Sequence, residues 1–397
     1  MSRAQLLRLF LLGSLLLVEM ARLSPRAVAL PSPTPDRTWQ VNGEVRAIAR
    51  YHNIIYMGGA FTQLREKPVG VSGGQVIRVR NLAAIDASTG GPVAGLHLAR
   101  VTGTDAIVHS LEVWRGKLFI GGWFTGVDGH PRRNLAAVDA ATGNRERFRP
   151  RSVQVWTING KDQRLYVGGD FGIVNRKRRV RLAAFQTDGS LSREWRPSAN
   201  DRVRDIGFAG DGTMFVLGRF TRVAGSGGEW RARKGVARFD AMTGALKSWV
   251  LACLCTKTVI GLAVRVSGDR VYLGMGGSDW VGAYELGSGR QIWRTDTNGQ
   301  VQDVALMGDR LVIGGHFRYV APGPGGYNCY SSPGTCYHRL RLAALGLGGR
   351  LDLDWAPAVT GYYQGVWDLR VAKTRLYVGG RFDAISGVKQ SYFARLS

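Results

Sequence analysis

The sequence predicts an all-β fold, a seven-bladed β-propeller with four strands per blade, and three observations carry that prediction. First, seven copies of one pattern begin near Val45, Val108, Val155, Val203, Val259, Val301 and Val366, roughly 40 to 65 residues apart. That period suits propeller blades. Second, each copy is built from short apolar runs closed by turn signals, none long enough for a stable helix. Third, the chain opens on a strand-like segment, RTWQVN over Arg37–Asn42, and its seventh copy stops at Ser397 without a fourth strand. Pairing Thr38–Asn42 with the last copy would close a ring and remove the exposed sheet edges of an open array.

The copy from Val108 to Pro150 shows each element in order. VHSLEVW is the first strand, closed by Arg115-Gly116, and KLFIGGWF is the second. NLAAVDA is the third, ended by ATG, whose glycine suits a turn position needing positive φ. NRERFRP is a charged fourth strand. Apolar content fades from the second strand to the fourth, as expected for a sheet with a buried inner edge and a polar outer one. The fifth copy departs most, with GMGG after its second strand and Glu285 where other copies have Asp.

Three regions are expected: a leader over residues 1–29, a Pro-rich spacer over 30–37, expected to be mobile, and one propeller domain over 38–397. Arg3 and Arg8 precede an apolar stretch, Leu9–Val18, too short to span a bilayer, and Ala27-Val28-Ala29 fits a small-residue cleavage site. An uncleaved anchor is the alternative. No later segment is long and apolar enough to span a membrane. The formal charge is +25 and Gly numbers 55, which the repeated turns explain. Four cysteines fit export to an oxidising compartment, secreted or on the cell surface. Of the three possible connectivities the two local pairs are favoured. Cys329 and Cys336 flank a Pro-Gly turn, whereas Cys253 and Cys255 would need a tight bend.

The GGxF motif followed by NLAAxDxxTG resembles the secreted bacterial propellers built from delta-60 repeats, over roughly residues 38 to 397. The resemblance implies an exported β-propeller and adds little about chemistry. The AxDxxTGxxxxW spacing from Ala237 to Trp249 also resembles the docking repeats of quinone-dependent dehydrogenase propellers, where it is structural. Those enzymes add adjacent cysteines, a Ca²⁺ site and eight blades, which this chain does not match.

In up-and-down blades the 2–3 loops and the blade-to-blade links share one face. All the long insertions, Thr62–Val79, Ala224–Lys234 and Ala321–Arg339, are 2–3 loops. Insertions on one face of a repeat array mark its binding face. Two rings of candidate ligand-binding residues open there. Arg46, His109, Trp156, Arg204, Gln302 and Trp367 follow the starting valines, with Asp205, Asp303 and Asp368 one residue on. Trp123, Asp170, Arg219, His316 and Arg381 fill the variable position of GGxF. Such a mixture suits a sugar or an anion. The competing reading is that the aspartates cap blade-to-blade turns and that Trp156 and Trp367 pack between blades.

Arg176, Lys177, Arg178 and Arg179 form a basic run on the same face that suits an acidic polymer such as a cell-envelope polysaccharide. No aromatic platform interleaves with it, which disfavours specific nucleic-acid recognition. The six histidines show no metal-ligand spacing, so no metal or other cofactor is expected. The expected function is a secreted, non-catalytic propeller, a monomer, that binds a polar or anionic ligand, glycan or protein partner. The alternative is an extracellular enzyme, quinone-type or carbohydrate-active.

Overall fold

Each copy of the repeat folds into its own antiparallel sheet in the computed structural model, which describes residues 29–151, 154–252 and 259–397. The expected leader and the Cys253/Cys255 pair lie outside the described residues. The first sheet joins Val45–Tyr51, Ile54–Gly59 and Leu82–Asp86. The second joins Ile107–Trp114, Lys117–Trp123 and Leu135–Asp139, and the third Val155–Lys161, Arg164–Gly169 and Leu182–Gln186. The fourth joins Val203–Phe208, Thr213–Gly218 and Val236–Asp240. The sixth joins Val301–Met307, Arg310–Gly315 and Leu342–Gly346, and the seventh Gly365–Ala372, Arg375–Arg381 and Phe393–Leu396. The fifth has four strands, Ile260–Ser267, Arg270–Gly276, Trp280–Glu285 and Gln291–Asp296. In the first four and the sixth the fourth position is reduced to a single bridge, such as Ile85–Pro92 or Val138–Arg145.

The motif residues explain the packing. The first strands lie against one another in chain order, and Gly365–Ala372 lies against Val45–Tyr51. The first glycine of GGxF makes room for the starting valine of the next sheet. A Cβ on Gly58 would sit 2.5 Å from Val108, and one on Gly379, in the last sheet, 2.7 Å from Val45 in the first. Each of these valines is fully buried, which stabilises by about 2 kcal/mol per side chain. The Asn of NLAA takes a left-handed backbone (φ 61° at Asn81, 65° at Asn134) and its Oδ1 accepts the N–H of Phe61 or Phe124. Asp of the same motif closes the following turn: Asp139 Oδ1 accepts Ala141 N–H at 3.0 Å and Thr142 N–H at 2.8 Å.

Tryptophans of the outer segments tie neighbouring sheets together. Trp249 Nε1 donates to Glu285 O and Trp293 Nε1 to Leu347 O, each in the sheet that follows. The same bond in the sixth sheet runs from Trp355 Nε1 to Pro31 O at 2.8 Å.

That contact corrects two expectations. Residues 30–37 are not a free spacer: Ser32 N–H donates to Ser397 O, Asp36 N–H to Arg395 O, and Asp36 is ion-paired with Arg395 at 2.7 Å. This segment, and not Thr38–Asn42, lies along the open edge of the last strand. Gln40–Val41 pairs instead with Gln63–Arg65 in the 2–3 loop of the first sheet. The reason lies in Asn42, whose Oδ1 accepts two N–H groups of that loop, from Thr62 and Gln63. Asn200 and Asn298 do the same in later copies, also three residues before the starting valine. Arg37–Asn42 thus ends as an entry link of the kind seen at Ser198–Ala199.

Candidate functional site at the channel mouth

Every first strand carries a register shift, at the residue after the starting valine in six of them and further along in the fifth. The shifts fall between Val45/Ala47, Val108/Ser110, Val155/Thr157, Val203/Asp205, Gly261/Ala263, Val301/Asp303 and Val366/Asp368. A bulge leaves its residue unpaired and re-aims the side chain. The second glycine of GGxF accommodates this: a Cβ on Gly59 would lie 1.9 Å from Glu44 O. The re-aimed side chains Arg46, His109, Trp156, Arg204, Leu262, Gln302 and Trp367 line one cavity of about 420 Å³ where the first strands meet. Six of these were expected from the sequence. Leu262 was not, because the fifth copy shifts its bulge along the strand.

The mouth is an arginine–aromatic weave. The Arg46 guanidinium lies 3.8 Å from the Trp367 ring centre, and Arg204 lies 4.2 Å from that of Trp156. His109 stacks on Trp156 at 4.0 Å, and His316 meets Trp367 edge-on at 4.8 Å. Burial, and then the nearby Arg46, hold both imidazoles neutral at ordinary pH: His109 is pushed down to about 3 and His316 to about 4. Burial, then Arg202 and Arg46, lower Arg204 to about 10, so it stays charged. The Nε1 of Trp156 and of Trp367, a ring nitrogen of His316 and the Nε of Arg46 and Arg204 are buried with no hydrogen-bond partner among the described residues. Arginine Nε atoms are orphaned at structural positions too, such as Arg132. Indole nitrogens are orphaned in the core too, at Trp195 and Trp280, and what sets Trp156 and Trp367 apart is that they line the cavity.

One residue further along the strands the chemistry changes. Asp205 Oδ2 accepts Val264 N–H at 2.9 Å, Asp303 Oδ2 accepts Leu369 N–H at 2.8 Å, and Asp368 accepts Ile48 N–H. Each bond reaches the first strand of the next sheet, and Ser110 Oγ does the same for Ile158. Arg265 bridges Asp303 at 2.9 Å and Asp205 at 3.6 Å. Burial raises Asp205 to about 6, and burial with the neighbouring Asp303 carboxyl raises Asp368. Asp303, expected as a ligand contact, is therefore a latch between sheets.

The second expected ring does not converge. Only His316 reaches the mouth. Asp170 is held by Arg181 at 3.0 Å and Arg202 at 2.9 Å, Arg219 faces Asp201, Trp123 is 48% exposed, and Arg381 covers Tyr362. In the basic run Arg176, Lys177 and Arg178 are exposed. Arg179 is buried instead, donating to Ser192 O and Arg193 O, because this position repeats as a carbonyl cap at Arg233 and Arg339. The sequence reading missed Glu44 and Arg202. Glu44 bonds Arg46 at 3.0 Å, and Arg202 lies 4.7 Å from the Trp156 ring centre. Strand alternation could have found them, since residues two apart share a face.

No protein-family model matches the chain, and no curated protein matches it. Among solved structures it is similar to the WD40 β-propeller domain of Doa1, at 11% identity and a TM-score of 0.51, covering 93% of this chain and 96% of that one. A computationally designed protein, Ika8, aligns at 14% identity and a TM-score of 0.48, covering 88% and 86%. The Doa1 likeness and the repeated antiparallel sheets give this chain the β-propeller fold. Cys329 and Cys336 are joined, with Cα atoms 5.7 Å apart.

Proposed function

We propose that this chain is an exported, non-catalytic seven-bladed propeller of the delta-60 repeat type that binds an anionic ligand at its channel mouth. The carrying observation is the convergence of Arg46, Arg204 and the rings of Trp156 and Trp367 on one cavity. With both histidines neutral and Arg46 already paired with Glu44, Arg204 is the main charge an anion meets. Asp205, Asp303 and Asp368 are committed to sheet-to-sheet bonds and Glu44 to Arg46, which favours binding over glycoside chemistry. The Cys329–Cys336 bond supports an oxidising compartment.

The test is a tryptophan-fluorescence titration of the mature protein with sugar acids, dicarboxylates and their neutral counterparts. Quenching by anions alone is expected, and Arg204→Gln should weaken it about tenfold or more with little change in melting temperature. Anions that bind the variant as well as the parent would overturn the reading. Ring closure has its own test. Removing residues through Asp36 should lower the melting temperature and promote association, because the last strand regains a bare edge and Trp355 loses its acceptor.

A further inference from the structure

The aromatic lining does not stop at the mouth. His316, edge-on to Trp367, lies 5.9 Å from Tyr363, which is 63% exposed on the link into the seventh sheet. Tyr330, 58% exposed, is another exposed ring, on the 2–3 loop of the sixth sheet. That loop is pinned twice, by the adjacent Cys329–Cys336 bond and by the Tyr330 hydroxyl on the Asp279 carboxylate. A disulfide and a cross-sheet hydrogen bond thus hold in place a ring that is mostly exposed. Burial energy does not account for such an arrangement, since the ring face buries little. Preorganised exposed aromatics lower the ordering cost of binding a flat apolar face.

We infer, resting on the mouth reading above, that the ligand is an acidic glycan. One carboxylate-bearing sugar sits at Arg46 and Arg204, and the following sugars lie along Tyr363 and Tyr330. Two features select this occupant. The mouth supplies the Arg46 and Arg204 cations for a carboxylate. The track supplies ring faces for the C–H faces of sugars. An acidic peptide would satisfy the cations but offers no repeating flat face to the tyrosines.

The probes are galacturonate, its hexamer, neutral galactose and a polyglutamate of similar length, titrated calorimetrically against the full mature chain. The hexamer should bind at least about tenfold more tightly than the monomer, after correction for the number of equivalent units; that is ~1.4 kcal/mol. The ratio should fall toward one in Tyr363→Ala, and in Tyr330→Ala as an independent second variant. Polyglutamate should gain nothing from the tyrosines. Equal affinity for monomer and hexamer, or a polyglutamate gain that the tyrosine variants abolish, would overturn the glycan track while leaving the mouth reading standing. Galacturonate binding that ignores Arg204→Gln would instead remove the mouth reading itself.

Discussion

At the mouth of the channel Arg46 and Arg204 lie on indole faces whose N–H groups meet no acceptor among the described residues. One residue further along the same strands, Asp205, Asp303 and Asp368 each accept a backbone N–H from the next sheet. Both layers are polar and both are largely removed from bulk water. They differ in whether their hydrogen bonds are complete. Complete networks rigidify a fold, and incomplete ones either cost stability or await a partner. The difference separates the layer that holds the sheets together from the layer proposed to bind.

The comparison breaks most readily at Asp303. Asp303→Ala leaves the Leu369 N–H and Arg265 without their shared acceptor. The expected loss is about 3 kcal/mol, near the low end for a buried pair because Arg265 faces the channel. Urea denaturation measures it. A change below about 1 kcal/mol would mean the acids are not latches.

Next in size is a pH effect that the inner layer carries. Asp205, raised to about 6, and Asp368, also raised, bind protons more readily folded than unfolded. Their contribution is fully present below the unfolded carboxyl value near 4 and is lost as pH rises through the folded values. Unfolding free energy should therefore fall by less over this window in Asp205→Asn than in the parent. The mouth histidines should stay silent, neutral down to about 4. Asp205 and Asp368 line the same cavity, so anion affinity should rise as their protonation removes negative charge between pH 8 and about 5.5. A rise that persists undiminished in Asp205→Asn and in Asp368→Asn would show a histidine taking up a proton instead.

The smallest expected effect lies outside both layers. Changing Arg176, Lys177 and Arg178 to Ser, with Arg179 left in place, should reduce retention on an anionic polymer in proportion to the charge removed. Retention of the parent should itself weaken with salt. A much larger loss would make the hairpin a site in its own right.

The sequence by itself determined the repeat, the sheets and most of the mouth. GGxF and NLAAxDxxTG are local devices, a glycine that admits a neighbour's valine and an Asp that closes its own turn, so their spacing reads directly as structure. The residues after the starting valines were legible because one bulge recurs at one register. Tertiary structure decided three other matters. Thr38–Asn42 and Ser32–Asp36 are both short and strand-like, and only the Asn42 bonds and the bare edge of Phe393–Leu396 assign each its partner. Arg178 and Arg179 are neighbours of one type, yet one faces solvent and the other caps carbonyls of the outer segment. His316 packs edge-on to Trp367, while Asp170, its counterpart in the third copy, is drawn into ion pairs with Arg181 and Arg202. Local spacing fixes which way a side chain leaves its strand, but its partner is set by what distant chain lies opposite.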